Sequence, residues 1–147
     1  SVILNVADLD PGYPCCRQTA NADSLKKKRK AYVAYQRALI RAYKVIQSHP
    51  ETAIKVMMKL TGQNRVYIET GLYGTYASQY NPSPAKKKVG DFYQYLVQEG
   101  VVKERRVKIG DHIDTGIFKE ALKDILQRYP NDQDYLNLKA FSDKYDN

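Results

Sequence analysis

Two adjacent cysteines followed by an arginine, in Gly12-Tyr13-Pro14-Cys15-Cys16-Arg17, are the residues of this chain whose types and spacing best suit chemistry. Successive side chains of an extended segment point to opposite sides, so the two thiols are expected to diverge and a two-thiolate metal site would be strained. Neighbouring cysteines also bridge poorly, because their Cα atoms are only about 3.8 Å apart. Two free thiols are expected, serving as small polarizable residues that line a pocket or pack under a helix. Arg17 either rests on the surface or faces a crevice, where its fork of donors would clamp a carboxylate, sulfonate or phosphate at two points.

The other reactive side chains point to less. His49 lies within Ser48-His49-Pro50-Glu51, a capping box with proline in the first turn. His112 shares a polar stretch with Asp111 and Asp114, which reads as solvated chain more readily than as a weak metal site. Neither histidine stands in a nucleophile motif. Of the thirteen tyrosines, in a chain without tryptophan, Tyr67, Tyr73, Tyr76 and Tyr80 fall roughly on one helix face. Such a stripe reads as helix packing with wet hydroxyl ends rather than a ligand cage. No catalytic residue and no metal ligand is assigned.

The elements that would position the cysteine loop follow from hydrophobic pattern. Residues 2 to 7 read as a buried strand, and Asp8 to Asn21 as a loop opened by the turn Asp10-Pro11-Gly12. Val101-Val102 and Val107-Lys108-Ile109 are the only other strand candidates, so the first strand lacks evident partners for its backbone groups. From Asp23 or Ser24, either able to cap, a helix runs to about Gln47 with an apolar stripe of Tyr32, Tyr35, Leu39, Ala42 and Ile46. The capping box starts a second helix with Ala53, Val56, Met57 and Leu60 inward and Gly62 as the stop. A third is expected from Asn64 to about Gln79, weakened at Gly71 and Gly74.

Asn81-Pro82-Ser83-Pro84 ends that segment and caps the next, in which Val89, Phe92, Tyr93, Leu96 and Val97 share a face before Gly100. Lys103 to Asp111 is charged and reads as extended. Asp114 opens a helix through Ile117, Phe118, Ala121, Leu122 and Ile125 that Tyr129-Pro130 closes, and Tyr135, Leu138 and Phe141 suggest a last short helical piece.

With 147 residues and 43% hydrophobic content, the chain suits one globular unit with its own core. No apolar run reaches the roughly 20 residues of a membrane helix. A formal charge of +8 suits an anionic partner of some kind. Its densest clusters, Lys26-Lys27-Lys28-Arg29-Lys30 and Lys86-Lys87-Lys88, are expected to open helices, the electrostatically wrong end for cations, and to be solvated faces. Without an arginine-rich reading helix, a zinc module or an aromatic RNA-binding signature, nucleic acid is not the expected partner.

Tyr13-Pro14-Cys15-Cys16-Arg17, Ala22-Asp23-Ser24-Leu25, the run from Ala34 to Ala42, Ser48-His49-Pro50-Glu51-Thr52-Ala53 and Gly100-Val101-Val102 occur in an order that resembles periplasmic substrate-binding proteins. The resemblance covers residues 2 to 122 and matches the second half of such proteins. It is narrowest with the group that binds nitrate, sulfonates, taurine and thiamine-pyrimidine precursors, to which the pyrimidine synthases of thiamine biosynthesis are also similar. It implies a mainly α chain with one or two short strands, a partial α/β type II-like periplasmic-binding-protein fold whose other lobe is absent.

On that reading residues 1–147 form one unit: strand and cleft loop at 1–22, helical body at 23–129, C-terminal tail at 130–147. The implied function is that of the solute-binding component of an ABC transporter, capturing by lobe closure a small anionic or heterocyclic ligand such as a sulfonate, nitrate, taurine or a pyrimidine precursor. Tyr13, Cys15, Cys16 and Arg17 would line the ligand cleft, with no enzymatic activity and no cofactor. Expected partners are the ligand, the transporter permease, the N-terminal half of the same protein, and a second copy exchanging the first strand. The expected location is periplasmic or extracellular, with membrane association through a removed or absent N-terminal signal as in a lipoprotein. Two alternatives stay open: a thiamine-pyrimidine synthase-like enzyme using iron at the thiols, and a basic helical module that binds nucleic acid or protein.

Overall fold

Helices make up most of the chain that the structure, a computed structural model, describes: Leu9, residues 13–75, Ala77, and residues 79–103 and 108–147. Seven α-helices lie among the described residues: α1 Ala22–Lys27, α2 Arg29–Ser48, α3 Pro50–Thr61, α4 Arg65–Tyr73, α5 Lys86–Gln98, α6 Gly116–Arg128 and α7 Gln133–Tyr145. A 3₁₀ turn, Ile109–His112, joins α5 to α6. No strand and no sheet occur among the described residues, and the expected partial α/β periplasmic-binding fold is overturned by this all-helical architecture. The strand read at residues 2 to 7 lies outside the described residues. Val101 and Val102 form a bend, and Ile109 belongs to the 3₁₀ turn. Two valines beside a left-handed glycine have no neighbouring strand to pair with, so β propensity has nothing to act on there.

The core forms where α2 crosses α6 and both meet α7. Val33 and Ile40 of α2 pack with Ile117, Phe118, Ala121, Leu122 and Ile125 of α6 and with Tyr135 and Leu138 of α7. All five apolar residues read from the sequence of α6 are buried. Their stripe is wide enough to meet two neighbours at once. Phe118, only 1% exposed, contributes about 2 kcal/mol by burial alone.

The stripe on α2 is rotated by one position from the expected one: Val33, Gln36 and Ile40 are buried, whereas Tyr35 is 53% exposed. Tyrosine is satisfied at a wet border, so the smaller β-branched residues take the seam. On α3 the inward residues are Ala53 and Ile54, while Val56 and Leu60 face outward.

Local chemistry sets the helix ends. The Asn21 side chain accepts from the amides of Asp23 and Ser24 at 3.0 and 3.2 Å, so it, and not Asp23 or Ser24, caps α1. A break at Lys28 divides α1 from α2 and leaves Lys26 and Lys27 in the last turn of α1, the favourable end for cations. Ser48 and His49 do not form the expected capping box: the Ser48 hydroxyl donates to Asp134 instead, and Glu51 pairs with Arg65. Gly62 (φ +70°) and Gly100 (φ +69°) close α3 and α5 in the left-handed conformation, as glycine at a helix end does at no steric cost. After Gly100 the amide of Val101 reaches the carbonyl of Leu96 at 2.9 Å, completing a Schellman motif. α4 stops at Tyr73, so Tyr80 lies outside it and the tyrosine stripe does not form; Tyr76 lies outside the described residues.

The start of α5 is secured from far along the chain. Asp146, 2% exposed, accepts from the Ser83 hydroxyl at 2.7 Å, the Ser142 hydroxyl at 2.9 Å and the Lys86 amide at 3.0 Å. A carboxylate at a helix N-terminus answers unpaired amides and the positive end of the dipole together. It sits where three consecutive lysines would otherwise leave the dipole uncompensated.

Candidate functional site

Two places in this framework carry polar side chains suited to a ligand: the cysteine loop and a groove between α2 and α6. The cysteine loop is fastened at both ends to the start and flank of α5. The Tyr13 ring meets Phe92 edge-on at 5.0 Å, and Pro14 is buried. Arg17 donates through Nε to the Pro84 carbonyl at 3.0 Å and through Nη1 to the Cys16 carbonyl at 2.7 Å. Gln36 donates to the carbonyl of Pro82 at 2.7 Å, so residues 82–84 are clasped from α2 as well. Burial pushes the Arg17 guanidinium below its usual value, with the charge of Asp146 acting in the opposite sense.

Between these anchors Cys15 and Cys16 are both exposed, free thiols. Their sulfurs do not diverge as the alternation of an extended strand requires: Cys16 Sγ donates to Cys15 Sγ at 3.5 Å. The segment is a pinned loop, so the period-two rule of strands does not govern it. That hydrogen bond, with the mutual charge of the pair and slight desolvation, raises the Cys15 thiol above its ordinary value, against a small opposing effect of Arg17. Tyr13, Cys15, Cys16 and Arg17 are thus held together, with Tyr13 and Arg17 turned to the protein and the thiols turned out.

Among the described residues no group of three or more histidine, cysteine, aspartate or glutamate side chains is placed to hold a metal ion. Two sulfurs alone do not make the donor set of an iron centre, so among the described residues the side chains around the thiols do not fit the iron of the synthase-like alternative. His49 lies at the α2–α3 junction and His112 in the 3₁₀ turn, both exposed. Asp114 is engaged elsewhere, capping α6 through the amides of Gly116 and Ile117 and lying 3.5 Å from Arg29.

The second place is the groove. It has a volume of about 670 Å³ and is walled by α2 and the end of α6, with Arg37, Arg41, Asp124, Arg128 and Tyr129 around a floor that includes Ala34 and Ala38. Arg37 and Arg41 stand one helical turn apart, and the small residues Ala34 and Ala38 open the space beside them. Arg37 lies 2.6 Å from Asp124, while Arg41 and Arg128 make no ion pair among the described residues. Three guanidinium groups against one carboxylate leave the groove positive and suited to a planar or tetrahedral oxyanion. These arginines were not singled out by type. The available signal was the four-residue spacing of Arg37 and Arg41 beside two alanines, and only the packing of α2 on α6 brings Arg128 to them.

Comparison with family models, with curated proteins and with solved structures gives no match to this chain. No helix among the described residues is long and apolar enough to cross a membrane.

Proposed function

We propose that the protein captures a small anionic solute, in the role of the solute-binding component of an ABC transporter. The observation that carries this reading is the arginine groove, with three guanidinium groups, one carboxylate and room for a ligand of the size of a sulfonate or a dicarboxylate. Calorimetric titration with taurine, other sulfonates and nitrate tests it. The expected result is saturable binding that weakens with added salt, as charge pairing in a partly open site does, and at least tenfold weaker binding in Arg41→Ala/Arg128→Ala. Absence of heat with every anion overturns the reading.

A second reading is favoured by a separate feature. Lys26, Lys27, Lys28 and Lys30 are all exposed around the α1–α2 break, which gives a basic ridge for an extended polyanion. Such a module binds duplex or RNA with affinity that falls steeply with salt concentration. Binding that survives Arg41→Ala/Arg128→Ala but is lost when these lysines become glutamine selects this reading over the first.

A further inference from the structure

The paired thiols offer more than a wall for a ligand. Their sulfurs converge to 3.5 Å, both side chains face solvent, and the loop that carries them is fixed by Arg17 on the Pro84 and Cys16 carbonyls and by Tyr13 on Phe92. An unconstrained pair of neighbouring cysteines spends little time with its sulfurs in contact, because adjacent side chains leave the backbone in different directions. Here the contact belongs to the folded loop. We propose that Cys15 and Cys16 form a reversible dithiol–disulfide couple that reacts with low-molecular-weight disulfides of the glutathione type.

The chemistry proceeds by two exchanges. One cysteine thiolate attacks a sulfur of the small disulfide, forming a mixed disulfide and expelling one small thiolate. The neighbouring thiolate then attacks the protein sulfur of the mixed disulfide, forming the Cys15–Cys16 bond and expelling the second small thiolate. Two protein thiols are oxidised by two electrons, the small disulfide is reduced to two thiols, and the two protons leave with them. The second step is intramolecular, so the mixed disulfide has a resolving group in contact from the moment it forms. The two sulfurs are in mutual contact, so whichever thiolate attacks first leaves the other in place to resolve the mixed disulfide.

Geometry also makes the oxidised form easy to reverse. The sulfurs must close from 3.5 Å to the roughly 2.05 Å of an S–S bond. Adjacent Cα atoms lie about 3.8 Å apart, below the usual span of about 4.4 to 6.8 Å across a disulfide, and strained disulfides are the labile ones. The ring encloses the Cys15–Cys16 peptide, and the carbonyl that accepts from Arg17 at 2.7 Å is on the next peptide, attached to the ring at the Cys16 Cα. Arg17 also holds the Pro84 carbonyl, so the pair sits beside the loop that starts α5.

The test uses the full chain, reduced and then exposed to oxidised glutathione under native conditions, with intact-protein and peptide mass spectrometry. The expected product has lost two hydrogens within the peptide containing Cys15 and Cys16, carries no glutathione, and returns to the starting mass with dithiothreitol. Cys15→Ser and Cys16→Ser, each lacking a second thiol to resolve the mixed disulfide, accumulate a single glutathione adduct. Stoichiometric capture of one trivalent phenylarsenical by the reduced wild type, lost in either serine variant, reports the convergence of the sulfurs without any oxidation step. Glutathione accumulating on the wild type, or a chain that stays reduced while neither thiol takes the arsenical in two-point fashion, overturns the proposal. The anion titrations do not bear on this outcome, because Arg41 and Arg128 take no part in it.

Discussion

Asp132 shows how one carboxylate joins two helices. It caps α7 through the amide of Asp134 at 3.2 Å and receives the Lys44 ammonium from α2, which lies 3.5 Å from Asp134 as well. Burial would push the Asp132 carboxyl up, but the Lys44 hydrogen bond and charge, together with the backbone amides of Tyr135 and Asp134, outweigh it and hold the group below its usual value. A carboxyl depressed in the folded state contributes stability that is present above its unfolded pKa and disappears as pH falls through the folded one. Lys44→Met is therefore expected to move the Asp132 titration upward and to bring acid unfolding to higher pH, both measurable by carboxyl-carbon chemical shifts and by urea midpoints across an acid series. An unchanged Asp132 titration would remove Lys44 as the cause. The aromatic neighbour of the pair is Tyr135, whose ring lies 5.4 Å from the Lys44 nitrogen.

Elements differ in how much they owe to packing. α6 turns five residues inward and α4 only Ile68, which is 6% exposed. Phe118→Ala is expected to cost about 3 to 5 kcal/mol, since a large ring leaves a cavity between α2 and α7. By contrast Leu60→Ala on α3, at a side chain 75% exposed, should stay within about 0.5 kcal/mol. Chemical denaturation of both variants measures the contrast, and equal losses would mean that the α2–α6–α7 seam is not the core. α6 was legible in the sequence because its apolar spacing, its Asp114 start and its Tyr129-Pro130 end agree with one another. The seam of α2 was not, because tyrosines and alkyl residues alternate along it and only the partner helix decides which row is covered. The cysteine loop could be located by residue type, but its sulfur contact depends on Arg17 and Pro84, 67 residues apart. The arginine groove needed the docking of α6, which no local pattern announces.

Across the whole molecule, stability is distributed unevenly. α2 runs through the core and touches α3, α6 and α7, whereas α4 packs on α3 and is tied to α2 by the Tyr73 hydroxyl on the Ile46 carbonyl at 2.8 Å. Native-state hydrogen exchange should therefore protect the amides of α2 and α6 most and release those of α4 first, since regions with few buried contacts open without global unfolding. Uniform protection across all helices would contradict this ordering. The Asp146 clasp on the start of α5 has an implication for how the chain is made. Lys86 and Asp146 are separated by 60 positions, and synthesis runs from amino to carboxyl end. The first turn of α5 leaves the ribosome without the carboxylate that caps it, and α6 and all of α7 must follow before its lock arrives. Nascent chains stalled before that residue should hold α5 frayed, and its closure would mark the last act of assembly.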